Sequence, residues 1–62
     1  MLMNFNGEEL MLMMLYNSGT RLGLIHELRL MQCYLMPDET ALRELSEGVI
    51  EKLKLLTDAE FA

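Results

Sequence analysis

The same helix-start pattern occurs near both ends of this 62-residue chain. Asn6 with Glu9, and again Thr57 with Glu60, have the spacing of a capping box, in which two side chains satisfy free backbone N–H groups at a helix start. Apolar residues flank each box at the two positions of a hydrophobic staple, namely Phe5 with Leu10 and Leu56 with Phe61. Because no strand pattern lies between the boxes, the chain is predicted to fold from helices alone.

Two breaks divide the chain into three helical segments. Asn17–Thr20 is a turn sequence, in which Gly19 can adopt a positive φ and Thr20 can cap the helix that follows. Pro37 ends the second segment, because the residue before a proline is disfavoured in the α region, and it suits the first turn of the third. Short connections favour an up-down-up order. We therefore predict one all-α domain over residues 1–62, a small three-helix bundle with helices at about 7–16, 21–35 and 38–55 and a short C-terminal fourth helix or turn at about 58–61.

Apolar residues recur every three or four positions in the second and third segments, which is the period of an amphipathic helix. The stripe of the third segment consists of Leu42, Leu45, Val49, Leu53 and Leu56. The stripe of the second segment consists of Leu24, Leu28, Met31 and Leu35. We expect these matching stripes to form the core.

The first segment carries more apolar surface than two neighbouring helices can cover. It is apolar on every side from Leu10 to Tyr16, and the second segment has further apolar residues away from its stripe. One interpretation is a loosely packed, methionine-rich core. The other is a surface for a protein partner or a second copy, with candidate contact residues Met11, Met13, Met14, Leu22, Leu30 and Tyr34.

The charge balance disfavours nucleic acid as a partner. Ten acidic and five basic side chains give a net charge of −5, whereas phosphate binding depends on clustered Lys and Arg. The acidic residues Glu44, Glu47 and Glu51 line one face of the third segment. This face is either simply solvated or a docking strip for a basic protein.

No combination of residues predicts an enzyme. His26 and Cys33 are seven residues apart on one predicted helix, so about 10 Å separates them, too far for a shared zinc ion or a catalytic dyad. They are interpreted as a surface histidine and a partly buried cysteine. The four glycines are isolated, and no calcium-loop pattern occurs. We expect no catalytic residue, metal, cofactor or small-molecule substrate.

The sequence also predicts a cytoplasmic protein that does not insert into a membrane. Cys33 is the only cysteine, which is typical of a reducing compartment. The Met1–Met3 start lacks the basic segment of a signal peptide. The longest apolar run, from Leu10 to Tyr16, is far shorter than the roughly 20 residues of a membrane span.

The sequence is also compatible with two alternative functions. The first two segments, joined by a turn that contains glycine, have the outline of a helix-turn-helix motif. In that motif Thr20, Arg21 and Arg29 would project toward DNA. That alternative predicts salt-sensitive duplex binding that Arg21→Ala abolishes. The other is an antitoxin-like inhibitor that neutralises a basic protein with the acidic face of the third segment. An adjacent gene for a basic, growth-arresting protein would favour it.

Several segments resemble one family of short proteins. They are Met3–Phe5, Gly19–Ile25, Tyr34–Glu39 and, most specifically, the closing run Lys52–Phe61 with its Leu-Thr-Asp-Ala-Glu-Phe. The family is the transposon-transfer assisting proteins, which are encoded in conjugative transposons of Gram-positive, mainly clostridial, bacteria. The resemblance implies an accessory role in element transfer and brings no catalytic residues. Together with the surplus apolar surface, it predicts a non-enzymatic protein that acts through protein–protein contacts.

Overall fold

The computed structural model describes residues 5–17, 19–57 and 59. These residues form three α-helices, which are α1 (Gly7–Tyr16), α2 (Arg21–Cys33) and α3 (Thr40–Leu55), and they contain no strand. The prediction of an all-helical fold with three helices is confirmed. The predicted fourth helix or turn at about 58–61 lies, except for Ala59, outside the described residues.

The start of α1 confirms the first of the two capping boxes. The Glu9 N–H donates to Asn6 Oδ1 at 2.8 Å, and the Asn6 N–H donates to Glu9 Oε1 at 2.9 Å. Phe5 is buried and Leu10 packs partly buried against the same core, as a hydrophobic staple requires. The second box depends on Glu60, which lies outside the described residues.

The turn before α2 also follows the prediction. Gly19 has a φ of +96°, in the left-handed region that favours glycine. Its N–H donates to Asn17 Oδ1 at 2.8 Å. Thr20 caps α2, since its Oγ1 accepts from the Gly23 N–H at 3.0 Å.

The connection between α2 and α3 is longer than predicted. The Leu35 N–H donates to Gln32 O at 3.2 Å, a bond that spans three residues and tightens the chain, so α2 ends at Cys33 rather than at 35. The Met36 N–H donates to Glu39 Oε2 at 2.9 Å. This bond closes a turn around Pro37, which therefore precedes α3 instead of lying in its first turn.

The helix α2 packs antiparallel to α3. Near the start of α2, Arg21 Nη1 donates to Leu53 O at 3.1 Å, close to the end of α3. Near the end of α2, Gln32 Nε2 donates to Ser46 Oγ at 2.8 Å, in the first half of α3. The contacts therefore run in opposite order along the two helices.

The helix α1 also meets α3 in reverse order. The Phe5 ring and the Glu9 carboxylate both contact Lys52, with 5.6 Å from Nζ to the ring centroid and 2.7 Å from Nζ to Oε1. Further along α1, Leu12 and Leu15 border a groove with Leu45, which comes earlier in α3. The predicted up-down-up order is therefore wrong, because it requires α1 and α3 to run in the same direction.

The core combines most of both predicted stripes with Phe5 and residues of α1, whereas Leu35 of the second stripe is not part of it. Its fully buried side chains include one that the stripes did not contain, Ile50. Ser46 is also fully buried, and its hydroxyl is satisfied because it accepts from Gln32 and donates to Arg43 O at 2.9 Å. The buried apolar residues are Phe5, Leu12, Met13, Leu24, Leu28, Val49, Ile50 and Leu53.

Candidate protein-interaction surface

One side of α1 exposes a continuous set of apolar side chains. Met14 and Leu15 come three and four residues after Met11, so each is a neighbour of Met11 on the helix surface, and Leu15 is 77% exposed. Met13 is only 5% exposed and belongs to the core. The structure therefore corrects the placement of Met13 on the contact surface, and Leu15 is exposed although it was not among the candidate contact residues.

A shallow groove lies beside this exposed side of α1. Leu12 and the α3 residue Leu45 are its less exposed lining, and the exposed side chains of Met11 and Leu15 border it together with Glu8. Its volume is about 240 Å³, below the roughly 300–1,000 Å³ of small-molecule sites. The groove is suited to one or two apolar side chains of another molecule.

The candidate contact residues associated with α2 are exposed but spread out. Leu22 lies in the first turn of the helix, Leu30 near its end, and Tyr34 directly after it. Leu22 and Tyr34 are twelve residues apart, which corresponds to about 18 Å along a helix axis. These residues therefore do not form one compact patch.

The three glutamates of the proposed acidic strip all lie exposed on α3. Glu47 Oε1 accepts from Gln32 Nε2 at 3.1 Å, and Glu51 Oε2 forms an ion pair with Lys54 at 3.5 Å. In the part of the chain that the structure describes, Glu44 makes no ion pair. Two of the three carboxylates thus already have partners within the protein.

A partly buried ion pair fixes the start of α1 on α3. Glu9 is 5% exposed, and its Oε1 accepts from Lys52 Nζ at 2.7 Å. Burial raises the pKa of Glu9, but the hydrogen bonds from Lys52 and from the Asn6 N–H, with the attraction of the Lys52 charge, outweigh it and leave the pKa below its ordinary value. Glu9 therefore stays ionised at neutral pH and serves as a structural anchor.

Gly48 allows this close approach of α1 to α3. A Cβ at this position would lie 3.3 Å from Glu9 Oε2. Helix propensity alone would favour Gly48→Ala by about 1 kcal/mol. We expect Gly48→Ala to change the free energy of unfolding by less than about 0.5 kcal/mol in the native background, because crowding of the carboxylate offsets the propensity gain.

The same substitution in a Glu9→Ala background tests that explanation. Without the carboxylate, Gly48→Ala should stabilise the chain by the full amount of about 1 kcal/mol. Urea denaturation of the four proteins of this double-mutant cycle gives the coupling energy. Equal effects of Gly48→Ala in both backgrounds would show that Glu9 does not restrict position 48.

The His, Cys, Asp and Glu side chains bear on whether the described residues could hold a metal ion. Among residues 5–17, 19–57 and 59, no three His, Cys, Asp or Glu side chains are grouped so that they could hold a metal ion. Both His26 and Cys33 are exposed, which corrects the expectation that Cys33 is partly buried. None of the helices described is both long and apolar enough to cross a bilayer.

Two of the three residues of the DNA-binding alternative have structural roles. Arg21 donates to the Leu53 carbonyl of α3, and the Thr20 hydroxyl caps α2. Arg29 is exposed. The structure thus gives this alternative no additional support, and DNA binding stays an untested prediction.

Three short helices around one core, with apolar side chains left exposed on α1, define a small all-helical protein. The family described as "Putative transposon-transfer assisting protein" has a model that matches residues 5–62, so the chain belongs to this family. This confirms the resemblance seen in the sequence. The family's name describes an assisting role in transposon transfer. A search of curated proteins and a search of solved structures each returned no match.

Proposed function

We propose that this chain is a non-enzymatic accessory protein of a conjugative transposon, and that it acts in the cytoplasm by binding another protein. The exposed side of α1, formed by Met11, Met14 and Leu15, is the observation that supports this proposal. The family provides the process, which is element transfer. The exposed apolar side of α1 supports the proposed mode of action, which is contact with a partner.

The energetics favour a binding role for these three side chains. Complete burial of a leucine or methionine side chain contributes about 1.5–3 kcal/mol, and the isolated chain does not obtain this contribution from Met11, Met14 or Leu15. Single exposed apolar residues are ordinary, but three adjacent ones on a ten-residue helix form a patch. A partner that covers this patch would gain hydrophobic stabilisation without any change in the fold.

Transfer of the element from donor cells tests the proposed function. A donor that lacks the gene should transfer the element less often, and the native gene should restore transfer. Met14→Glu should fail to restore it, because it places a charge in the contact surface. Leu55→Glu is the matched control, since Leu55 is 84% exposed and is the last residue of α3 rather than part of α1.

Two outcomes would contradict the proposal. Unchanged transfer after deletion would exclude the accessory role. Full restoration by Met14→Glu, at a protein level equal to that of Leu55→Glu, would exclude the exposed side of α1 as the contact surface.

A further inference from the structure

We propose that the groove between α1 and α3 binds a basic amphipathic helix of a partner protein. Apolar side chains of that helix would enter the groove, and its Lys or Arg side chains would lie beside Glu8 and Glu44. This inference rests on the proposed function and adds the chemistry of the partner.

The shape of the groove fits side chains presented by a helix. Leu12, 5% exposed, and Leu45, which packs against the core, give it an apolar lining held in place by the fold. Met11 and Leu15 project beside that lining. An apolar groove with a flexible methionine at its edge is the kind of surface on which amphipathic helices dock.

The acidic residue in the groove lining and the acidic charge of the chain favour a basic partner. Glu8 lines the groove, and Glu44 precedes the lining residue Leu45 on an exposed position of α3. Within the described residues neither carboxylate forms an ion pair. The whole chain carries a net charge of −5. Lysine and arginine side chains that flank the apolar row of a partner helix would complement these carboxylates.

The same charges disfavour a second copy of this chain as the occupant. The helix α1 contains Glu8 and Glu9 and has no Lys, Arg or His. A copy of α1 in the groove would therefore bring Glu8 close to acidic groups without a compensating cation. Like-charge contacts of this kind oppose association.

Binding of a synthetic peptide to the full chain tests the proposal. The probe is a helical peptide of about 15 residues with leucines spaced every three or four positions and lysines on both sides of that row. A second peptide carries glutamate in place of each lysine. The lysine peptide should shift NMR signals of Met11, Leu15 and Leu45, and the glutamate peptide should not bind.

Two leucine variants distinguish groove binding from general attraction to an acidic protein. Leu15→Glu should weaken binding of the lysine peptide about tenfold or more, and Leu55→Glu should change it less than about twofold. Both variants add one negative charge to an exposed position. General electrostatic attraction would instead strengthen binding to both.

Two double variants with equal net charge test the role of the flanking carboxylates. Glu8→Gln with Glu44→Gln should weaken binding about threefold at low salt. Glu47→Gln with Glu51→Gln removes the same charge from carboxylates that already have partners in the protein. This second pair should have the smaller effect.

Several results would overturn the inference. Absence of binding, equal binding to Leu15→Glu, or NMR shifts confined to the outer face of α3 would exclude the groove as the peptide site. A free chain that is dimeric by light scattering, and that Leu15→Glu makes monomeric, would assign the groove to a second copy.

The transfer assay separates this inference from the proposed function. Loss of transfer in Leu15→Glu, together with no binding of the lysine peptide to the native chain, would overturn the inference and leave the proposed function standing. Peptide binding as expected, with normal transfer in both Leu15→Glu and Met14→Glu, would support the groove and contradict the proposed function.

Discussion

Met13→Glu is expected to unfold this protein, whereas Met14→Glu is expected to leave it folded. Met13 is 5% exposed among the core residues, so a glutamate there would bury a charge, which costs several kcal/mol. A core in a chain this short supplies only about 3–5 kcal/mol of stability. Far-UV circular dichroism without denaturant should therefore show loss of helix in Met13→Glu.

Met14→Glu is a close control for this prediction. It changes the adjacent residue of the same helix and introduces the same charge, but Met14 is exposed. Its free energy of unfolding, from urea titration, should lie within about 0.5 kcal/mol of the native value. A cooperatively folded Met13→Glu protein would contradict the assignment of Met13 to the core.

Glu9→Ala is expected to lower the free energy of unfolding by about 2–3 kcal/mol. The substitution removes the acceptor for the Asn6 N–H and the buried partner of Lys52. Glu8→Ala is the matched control, because Glu8 is the exposed neighbour in the same first turn, and its loss should cost less than about 1 kcal/mol. Urea titration gives both values, and equal losses would contradict the anchoring role of Glu9.

Glu9 should also make stability depend on acid pH. Its pKa is lower in the folded chain than the ordinary value of 4.5, so the unfolded chain binds its proton more readily. The contribution of Glu9 is therefore complete above pH 4.5 and is lost as the pH falls through the lowered pKa. The urea midpoint is measured at neutral pH and at several pH values below 4.5. As the pH decreases, the midpoint should fall more steeply for the native chain than for Glu9→Gln. Parallel curves would contradict the lowered pKa.

Local patterns were enough to predict how α1 and α2 begin. The box formed by Asn6 and Glu9, and the cap from Thr20 to Gly23, each join residues three positions apart. Their hydrogen bonds therefore depend on neighbouring sequence and not on the rest of the fold. The start of α3 was not predictable in this way, because Glu39 accepts from Met36 instead of capping the helix.

The direction of α1 depends on contacts between distant parts of the chain. Glu9 and Lys52 are 43 residues apart in sequence, and the Glu9 carboxylate also lies close to Gly48, where a Cβ would be 3.3 Å from Oε2. No pattern within one helix indicates that these residues meet. The short connections favoured the up-down-up order, which is wrong, because connection length carries no information about these distant contacts.

The candidate surface was only partly predictable because α1 is apolar on every side. Such a helix has no polar face to indicate which side is buried, so the sequence could not separate Met13 from Met14 or identify Leu15 as exposed. Ser46 belonged to neither predicted stripe. It is buried nevertheless, because Gln32 satisfies its hydroxyl inside the fold.

Site-specific photo-crosslinking in donor cells tests the central proposal most directly. A photoreactive amino acid would replace Met14 in one strain and Leu55 in another, both of which are exposed positions. We expect a crosslinked adduct with one other protein from position 14 and none from position 55, with mass spectrometry placing the crosslink in a basic helical segment. No adduct from position 14, or the same adducts from both positions, would contradict the proposal that the exposed side of α1 binds a partner.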